Sequence, residues 1–263
     1  MTFTRRSLLE WTLENLERLG VKPRESLGQH FLVDPRGLEF FLEPLSRAPY
    51  SDMMEVGPGL GALTLHAAGL ASRIVAVEVD RSLAEHLSGV APENVAVVVG
   101  DGVDHSRSTS LKVLYSNTPY SLSSVILRAV AENNNIAYAV LGVQRELASR
   151  MIAEPGSPDY GRLTLLVERY FKARIVGVIP RSYYYPQPEV HGAVVELSRI
   201  REWREGDDAF EELSRCLFSG RNKKASKMAS KCLGVEGGLE WLKEKRVKEL
   251  TVEDLERLLE FYK

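Results

Sequence analysis

Cysteine is nearly absent from this 263-residue chain: Cys216 and Cys232 are the only two. They form no CxxC pair and have no metal-ligand spacing, which excludes a zinc ribbon, a disulfide framework and a redox dithiol motif. The two thiols are expected to be reduced and structural, and no metal site is expected. No apolar run approaches the roughly 18 residues of a membrane span. Glu10, Glu14 and Glu17 interrupt the N-terminal region where a signal peptide would need its apolar centre. A cytoplasmic protein without a membrane partner is the expectation. Internal repeats and low-complexity segments are also missing, which argues against solenoids and disordered tails. Net charge is small, at −2, so no overall excess of basic charge points to nucleic acid. The charge is unevenly spread, however. Between Leu213 and Val235 stand Arg215, Arg221, Lys223, Lys224, Lys227 and Lys231 with no acidic residue among them. A local basic face of this kind is the footprint of phosphate contacts, although solvated helix faces are often charged too.

The chain is organised around Met53-Met54-Glu55-Val56-Gly57-Pro58-Gly59-Leu60-Gly61, read as a strand, a glycine-rich turn and the start of a helix. Glycine admits backbone shapes that a Cβ blocks and lets a ligand approach the main chain. Twenty-one residues beyond Gly57, Glu78 ends the apolar run Ile74-Val75-Ala76-Val77. An acid at that distance, at a strand end, is placed to accept hydrogen bonds from ribose hydroxyls. These features alone fit a dinucleotide-dependent dehydrogenase as well as a methyltransferase.

The pattern around that stretch alternates. Strands are predicted over 53–56, 74–79, 95–99, 112–115 and 137–143, and helices over 61–70, 81–88, 122–131 and 145–153. Such alternation implies a parallel sheet with helices on both faces. Before it, Ser7 to Glu10 has the form of a capping box, and Leu9, Leu13 and Leu16 share a helical face that ends near Gly20. Pro23 to Asp34 reads as an ordered loop able to lie over a pocket. Asp34-Pro35 reads as a helix N-cap followed by proline at the first helical position. A further helix is expected over 163–170, and extended runs over 173–179 and 192–197 close the domain. Past residue 200 the chain is helical and charged, with helices over 207–218 and 222–232 and a last one capped by Thr251 to Asp254. The division is therefore a domain over 1–200 and a helical one over 201–263.

Strand ends in an open α/β sheet face the ligand crevice. Four of them carry Glu55 and Gly57, Glu78 and Asp80, Asp101, and Asn117. Asn117-Thr118-Pro119-Tyr120 discriminates between the two enzyme classes. An exocyclic amine of adenine or cytosine has two N–H donors and a lone pair delocalised into the ring. Methylating it needs acceptors for those hydrogens and a flat surface for the extruded base. The Asn117 side-chain oxygen and the next main-chain carbonyl supply the acceptors, Pro119 stiffens the turn, and Tyr120 offers a ring. His66, His86 and His105 read as surface or packing residues.

With those residues in place, the sequence resembles the KsgA/Dim1 family of small-subunit ribosomal RNA adenine N6,N6-dimethyltransferases, in a form closer to archaeal members. The matching pieces run in order over nearly the whole chain: Gly28-Gln29-His30-Phe31-Leu32, the glycine stretch, Glu78-Val79-Asp80, Asp101-Gly102, Asn117 to Tyr120, Tyr160-Gly161-Arg162-Leu163, Tyr184 to Val190, and the basic run after Arg221. The resemblance implies a Rossmann-like class I methyltransferase sheet with a small all-helical C-terminal domain that contacts RNA. S-adenosylmethionine would lie against Gly57, Gly59 and Gly61, with Glu78 on the ribose, Asp101 on the adenine, and Gln29, His30 and Leu32 closing over it beside Asn117. The target adenine would meet Asn117 and the Thr118 carbonyl between Tyr120 and Tyr184, next to Pro119. Arg221, Lys223, Lys224, Lys227 and Lys231 would contact RNA. The implied substrate is two adjacent adenosines in the 3′-terminal hairpin of small-subunit rRNA, on a pre-ribosomal particle, with the enzyme a monomer. Related alternatives are a large-subunit rRNA methyltransferase of the antibiotic-resistance type and an assembly or transcription factor without catalysis. Thr118 stands where Leu or Ile is usual, His30 where bacterial members carry Asn, Tyr184 where Phe is usual, and His191-Gly192 where Asp-Ser is frequent.

Overall fold

The computed structural model describes residues 5–24 and 28–261, so Ser26 and Leu27 of the predicted loop lie outside the described residues. The chain divides into two compact units. The first comprises residues 1–148 and 174–199, and the second 149–173 and 200–263. The second unit thus takes in a segment that the sequence reading placed in the first domain. Long-range hydrogen bonds hold it there: Tyr160 donates its hydroxyl to the Leu250 carbonyl at 2.7 Å, and the Gly156 N–H donates to Lys248 O at 2.7 Å.

Up to residue 199 the elements run α1 (Arg5–Leu19), β1 (Phe31–Leu32), α2 (Pro35–Ser46), β2 (Asp52–Val56), α3 (Ala62–Ala67), β3 (Arg73–Glu78), α4 (Arg81–Val90), β4 (Val95–Val99), α5 (Gly102–Ser108), β5 (Val113–Asn117), α6 (Ser123–Glu132) and β6 (Tyr138–Gln144). Then follow α7 (Arg145–Met151), α8 (Arg162–Tyr170), β7 (Phe171–Ile179), β8 (Tyr184–Tyr185) and β9 (Gly192–Arg199). The sheet order is β4-β3-β2-β5-β6-β9-β7. Pairings from β4 through β6 are parallel, and β9 joins β6 antiparallel, so the sheet is mixed rather than wholly parallel. The chain builds outward from β2 to β4 and then returns to place β5 on the other side of β2. That reversal opens a crevice at the carboxyl ends of β2 and β5.

Sequence and local structure agree where caps are strong. Asp34 accepts from the Arg36 N–H at 3.1 Å with Pro35 at the first helical position, and Asp80 accepts from Ser82 and Leu83. Asp101 caps α5 by accepting from Val103 at 2.7 Å and Asp104 at 3.3 Å; the sequence reading had no helix there. At the other end, Ser7 lies inside α1 rather than at its N-cap. The buried face of α1 is Leu8, Thr12 and Leu16, while Leu13 is 38% exposed. β2, β5 and β6 are buried on both faces, as central parallel strands are.

The second unit contains α8, α9 (Asp207–Phe218), α10 (Ala225–Leu233) and α11 (Val252–Leu259), around Tyr160, Leu165, Phe210, Leu217, Leu242 and Leu255. Buried Arg169 pairs with Asp207 at 2.8 Å and lies 3.8 Å over the Phe210 ring. A capping box on Thr251 and Asp254 opens α11, as its sequence predicts. The helix expected from 222 begins only at Ala225. Residues 221–223 instead form a turn and a bend that lead to a bridge of Lys224 with Arg246, held by Val247 N–H to Lys223 O at 3.0 Å and Lys248 N–H to Arg221 O at 2.9 Å. The expectation of free thiols is overturned, because Cys216 of α9 and Cys232 of α10 form a disulfide with Cα atoms 5.9 Å apart. A separation of 16 residues carries no sequence cue to pairing; the packing of α9 on α10 creates it.

Candidate active site

At the crevice beside β2 and β5 lies a cavity of about 290 Å³. The turn after β2 forms its floor. Gly57 and Gly59 have φ of +68° and +60°, a region open to glycine, and the Phe31 ring packs within 3.0 Å of where a Gly59 Cβ would stand. Gln29, His30 and Leu32 line the cavity from the N-terminal loop and β1, and Glu78, Asp101, Asn117 and Pro119 from the other strand ends. Nine of the residues predicted for the site are therefore brought together.

Four are not on its wall. Gly61 has φ +91° and ends the turn, and a Cβ there would meet Leu87 Cδ1 at 2.3 Å; its demand for glycine comes from that φ and from packing against α4. Thr118 is buried with its side chain turned inward, leaving its main chain as the relevant group. Tyr120 stands near His30, ring centroids 6.0 Å apart, and burial pushes its hydroxyl up to about 12. Tyr184 is only 5% exposed and belongs to the core cluster, so its ring offers no free face for a base in this structure. Its position in the ladder explains this: Tyr184 pairs with Leu32, locking β8 onto β1.

The structure also adds residues that sequence reasoning missed. Trp11 and Thr12 of α1 line the cavity, as do Phe31, Leu83 and Val103. The opening helix is thus part of the site wall and not packing material alone. A signal existed in the i, i+4, i+8 set Leu8, Thr12 and Leu16, with Trp11 beside it. Glu55, one of the strand-end residues expected at the crevice, lines the cavity, 1% exposed, accepting from the Tyr115 hydroxyl at 3.0 Å. Burial raises its carboxyl to about 7, against the opposing hydrogen bonds. Burial likewise raises Glu78, whose two oxygens accept from the Gly59 N–H and the Asp80 N–H, each at 2.9 Å.

Three carboxyl groups and no Lys or Arg face this cavity among the described residues. That lining offers a pyrophosphate no cation and sets it against carboxyl groups. It suits a cationic sulfonium cofactor with a ribose and an adenine. Each Glu78 oxygen retains a further lone pair for a hydroxyl donor. The residues present therefore fit S-adenosylmethionine and not a dinucleotide.

Asn117 sits where β5 ends, with its amide nitrogen donating to the His30 carbonyl at 3.2 Å and its oxygen accepting from the Tyr184 hydroxyl at 3.5 Å. His30 in turn uses Nδ1 toward the Pro186 carbonyl at 2.8 Å, which requires the proton on Nδ1. In the second unit, Lys223, Lys224, Lys227 and Lys231 are exposed. Arg221 is not a free cation: its guanidinium donates to the carbonyls of Pro158 at 2.8 Å and of Ser157 and Tyr160 at 3.1 Å. It fastens the 157–160 loop. No described helix is long and apolar enough to cross a membrane.

Comparison with known proteins gives concordant findings. The family described as ribosomal RNA adenine dimethylase matches residues 20–263. A probable ribosomal RNA small subunit methyltransferase A from Aeropyrum pernix is 48% identical over 209 residues, covering 78% of this chain and 76% of that one. The protein of the same description from Pyrobaculum aerophilum is 38% identical over 242 residues, covering 91% and 99%. Among solved structures, a dimethyladenosine transferase from Plasmodium falciparum superposes with a TM-score of 0.75 at 24% identity, over 86% of this chain and 94% of that one, a likeness of fold. The 23S rRNA methyltransferase ErmE gives 0.64 at 26% identity, over 88% and 98%.

Proposed function

The chain belongs to the ribosomal RNA adenine dimethylase family, and we propose that it dimethylates N6 of two adjacent adenosines in the 3′-terminal hairpin of small-subunit rRNA. S-adenosylmethionine is the methyl donor, supplying an electrophilic methyl group on a sulfonium. The particle acted on is a pre-ribosomal small subunit, and the enzyme works in the cytoplasm as a monomer.

The observation that carries this reading is Asn117 at the wall of the carboxylate-lined cavity, its amide oriented by His30. In this reading Glu78 takes the ribose hydroxyls, Asp101 the cofactor adenine amine, and Gln29, His30 and Leu32 close the donor side. Asn117 Oδ1 and the Thr118 carbonyl accept the two N6 hydrogens of the target base, while Tyr120 flanks it behind rigid Pro119. Accepting both hydrogens turns the amine lone pair toward the donor, and it stabilises the positive charge that grows on N6 as the new bond forms. No strong base is needed at that moment, and the protein's part is orientation and exclusion of water. Lys223, Lys224, Lys227 and Lys231 meet phosphates, the sequence-independent part of RNA binding.

The test is transfer of labelled methyl groups to purified small ribosomal subunits that lack the modification, with large subunits alongside. N6,N6-dimethyladenosine in the small-subunit rRNA is expected. Label confined to large-subunit rRNA would replace this reading with the ErmE-like one. Asn117→Ala should lower transfer at least about 100-fold while changing cofactor affinity by less than about three-fold.

A further inference from the structure

Two glycines on the last strands of the sheet have no backbone reason to be glycine. Gly142 of β6 and Gly192 of β9 both have ordinary strand conformation and are absent from the positive-φ set. Glycine weakens a strand interior, and its presence there marks a close approach. Here the approaching atoms are identifiable. A Cβ on Gly142 would stand 3.1 Å from Asn117 Oδ1 and 2.6 Å from Phe41 Cζ. One on Gly192 would stand 2.7 Å from the Tyr184 hydroxyl and 3.2 Å from the Tyr120 hydroxyl. The two positions lie near one end of the β6–β9 ladder, with Asn117 opposite Gly142 and Gly192 opposite Gln144.

These contacts close around one side chain. The Tyr184 hydroxyl reaches Asn117 Oδ1 at 3.5 Å, and the Asn117 amide nitrogen reaches the His30 carbonyl at 3.2 Å. His30 precedes β1 and Tyr184 opens β8, so the two-stranded β1–β8 ladder presents both partners together, tied further by His30 Nδ1 to the Pro186 carbonyl. Tyr184 cannot swing aside, because its ring is in the core and a phenol has only two side-chain torsions. Burial beside Tyr120 holds the Tyr184 hydroxyl well above its ordinary value, so it stays an O–H donor.

We infer that the Tyr184 hydroxyl, given room by Gly192, is a positioning group for this enzyme: with Gly142 and the His30 carbonyl it seats the Asn117 carboxamide so that Oδ1 is an acceptor for the target amine. The inference rests on the proposed role of Asn117. One Oδ1 lone pair faces Tyr184 and the second remains for an N–H of the base. Loss of the tyrosine hydroxyl leaves the carboxamide held by the His30 carbonyl alone, and whenever it rotates it presents N–H to the N–H of the base, which repels. Phenylalanine at 184 would keep the packing and lose this orientation. An alanine at 192 would drive its methyl into the hydroxyl while leaving strand pairing intact.

The experiment combines Tyr184→Phe, Gly192→Ala and the double variant, assayed for methyl transfer to unmodified small subunits, with Asn117→Ala alongside. Tyr184→Phe should lower kcat about five- to ten-fold, the scale of one neutral hydrogen bond, with KM and cofactor affinity within about two-fold. Gly192→Ala should lose at least as much. The double variant should be no worse than Tyr184→Phe, since the displaced hydroxyl is gone. In 15N-labelled free protein the Asn117 side-chain amide signals should shift in Tyr184→Phe, a readout independent of any substrate. Wild-type kcat and unchanged amide signals in Tyr184→Phe, or a Gly192→Ala defect equally large in the phenylalanine background, would overturn the inference. If Asn117→Ala is inactive in that case, the reading of Asn117 survives alone; if Asn117→Ala is fully active, both fall.

Discussion

Gly57 and Gly61 stand four residues apart in one turn, and their replacement by alanine should fail in opposite ways. At Gly61 the added methyl meets Leu87 Cδ1 at 2.3 Å, and Leu87 is 0% exposed, so relief requires the core to shift. Overpacking of that kind costs about 1–3 kcal/mol. The backbone, at φ +91°, adds about 1–2 kcal/mol for a residue with a Cβ. Gly61→Ala should therefore lose about 2–5 kcal/mol, seen as a fall of roughly 5–15 °C in thermal unfolding for a unit of this size. Because Gly61 is not on the cavity wall, the folded fraction should bind S-adenosylmethionine within about three-fold of wild type. At Gly57 the nearest atom to the new methyl is Pro119 Cδ at 3.9 Å, with φ +68°. The stability loss there is the backbone part alone, about 1–2 kcal/mol, but the methyl stands in the cavity and affinity should fall at least ten-fold. Calorimetric unfolding and titration calorimetry on both variants decide the matter. Unfolding of Gly61→Ala within about 2 °C of wild type, or unchanged affinity in Gly57→Ala, would refute the division of roles.

Three further outcomes follow from the same structure. Glu55 has its carboxyl raised from 4.5 to about 7, so the folded state holds a proton that the unfolded state releases from pH 4.5 upward; its ionisation destabilises the fold progressively between pH 4.5 and 7, by about 3 kcal/mol at the plateau. Glu55→Gln should flatten that fall in the pH profile of unfolding free energy, and an unchanged slope across that range would contradict it. Reducing the Cys216–Cys232 bond, which spans 16 residues, should cost the second unit about 3 kcal/mol, visible as a lower unfolding midpoint under reductant; equal midpoints would refute it. Replacing exposed Lys223, Lys224, Lys227 and Lys231 by alanine should lower the slope of log K against log salt for RNA by about 0.7–0.9 for each phosphate no longer neutralised, whereas Arg221→Ala should show mainly as lost stability.

Much of the site was legible because it depends on neighbours in sequence. Gly57, Gly59, Glu78, Asp101 and Asn117 occupy strand ends and turns whose character is local, and strand ends of a parallel sheet share one edge whatever the strand order. α5 was missed although Asp101 is its cap, since a helix of seven residues carries too short a stripe to show a period. The contacts of Arg221 are not legible in sequence, because a basic residue among lysines gives no sign that three carbonyls of a distant loop are waiting for it. The burial of the Tyr184 ring is equally hidden, because sequence carries residue type and not burial.

Local sequence sets the helix caps at Asp34, Asp80 and Thr251, the left-handed turns at Gly57 and Gly59, and the chemical types gathered at the strand ends. All of these are set by φ, by hydrogen bonds reaching two or three residues, or by side-chain identity. Long-range packing sets the rest: β5 returns beside β2, α1 puts Trp11 on the cavity wall, Cys216 meets Cys232, and Gly192 leaves space for a hydroxyl against Asn117. Each of those is a contact between segments far apart in the chain, chosen by how whole elements pack, and no local preference encodes it.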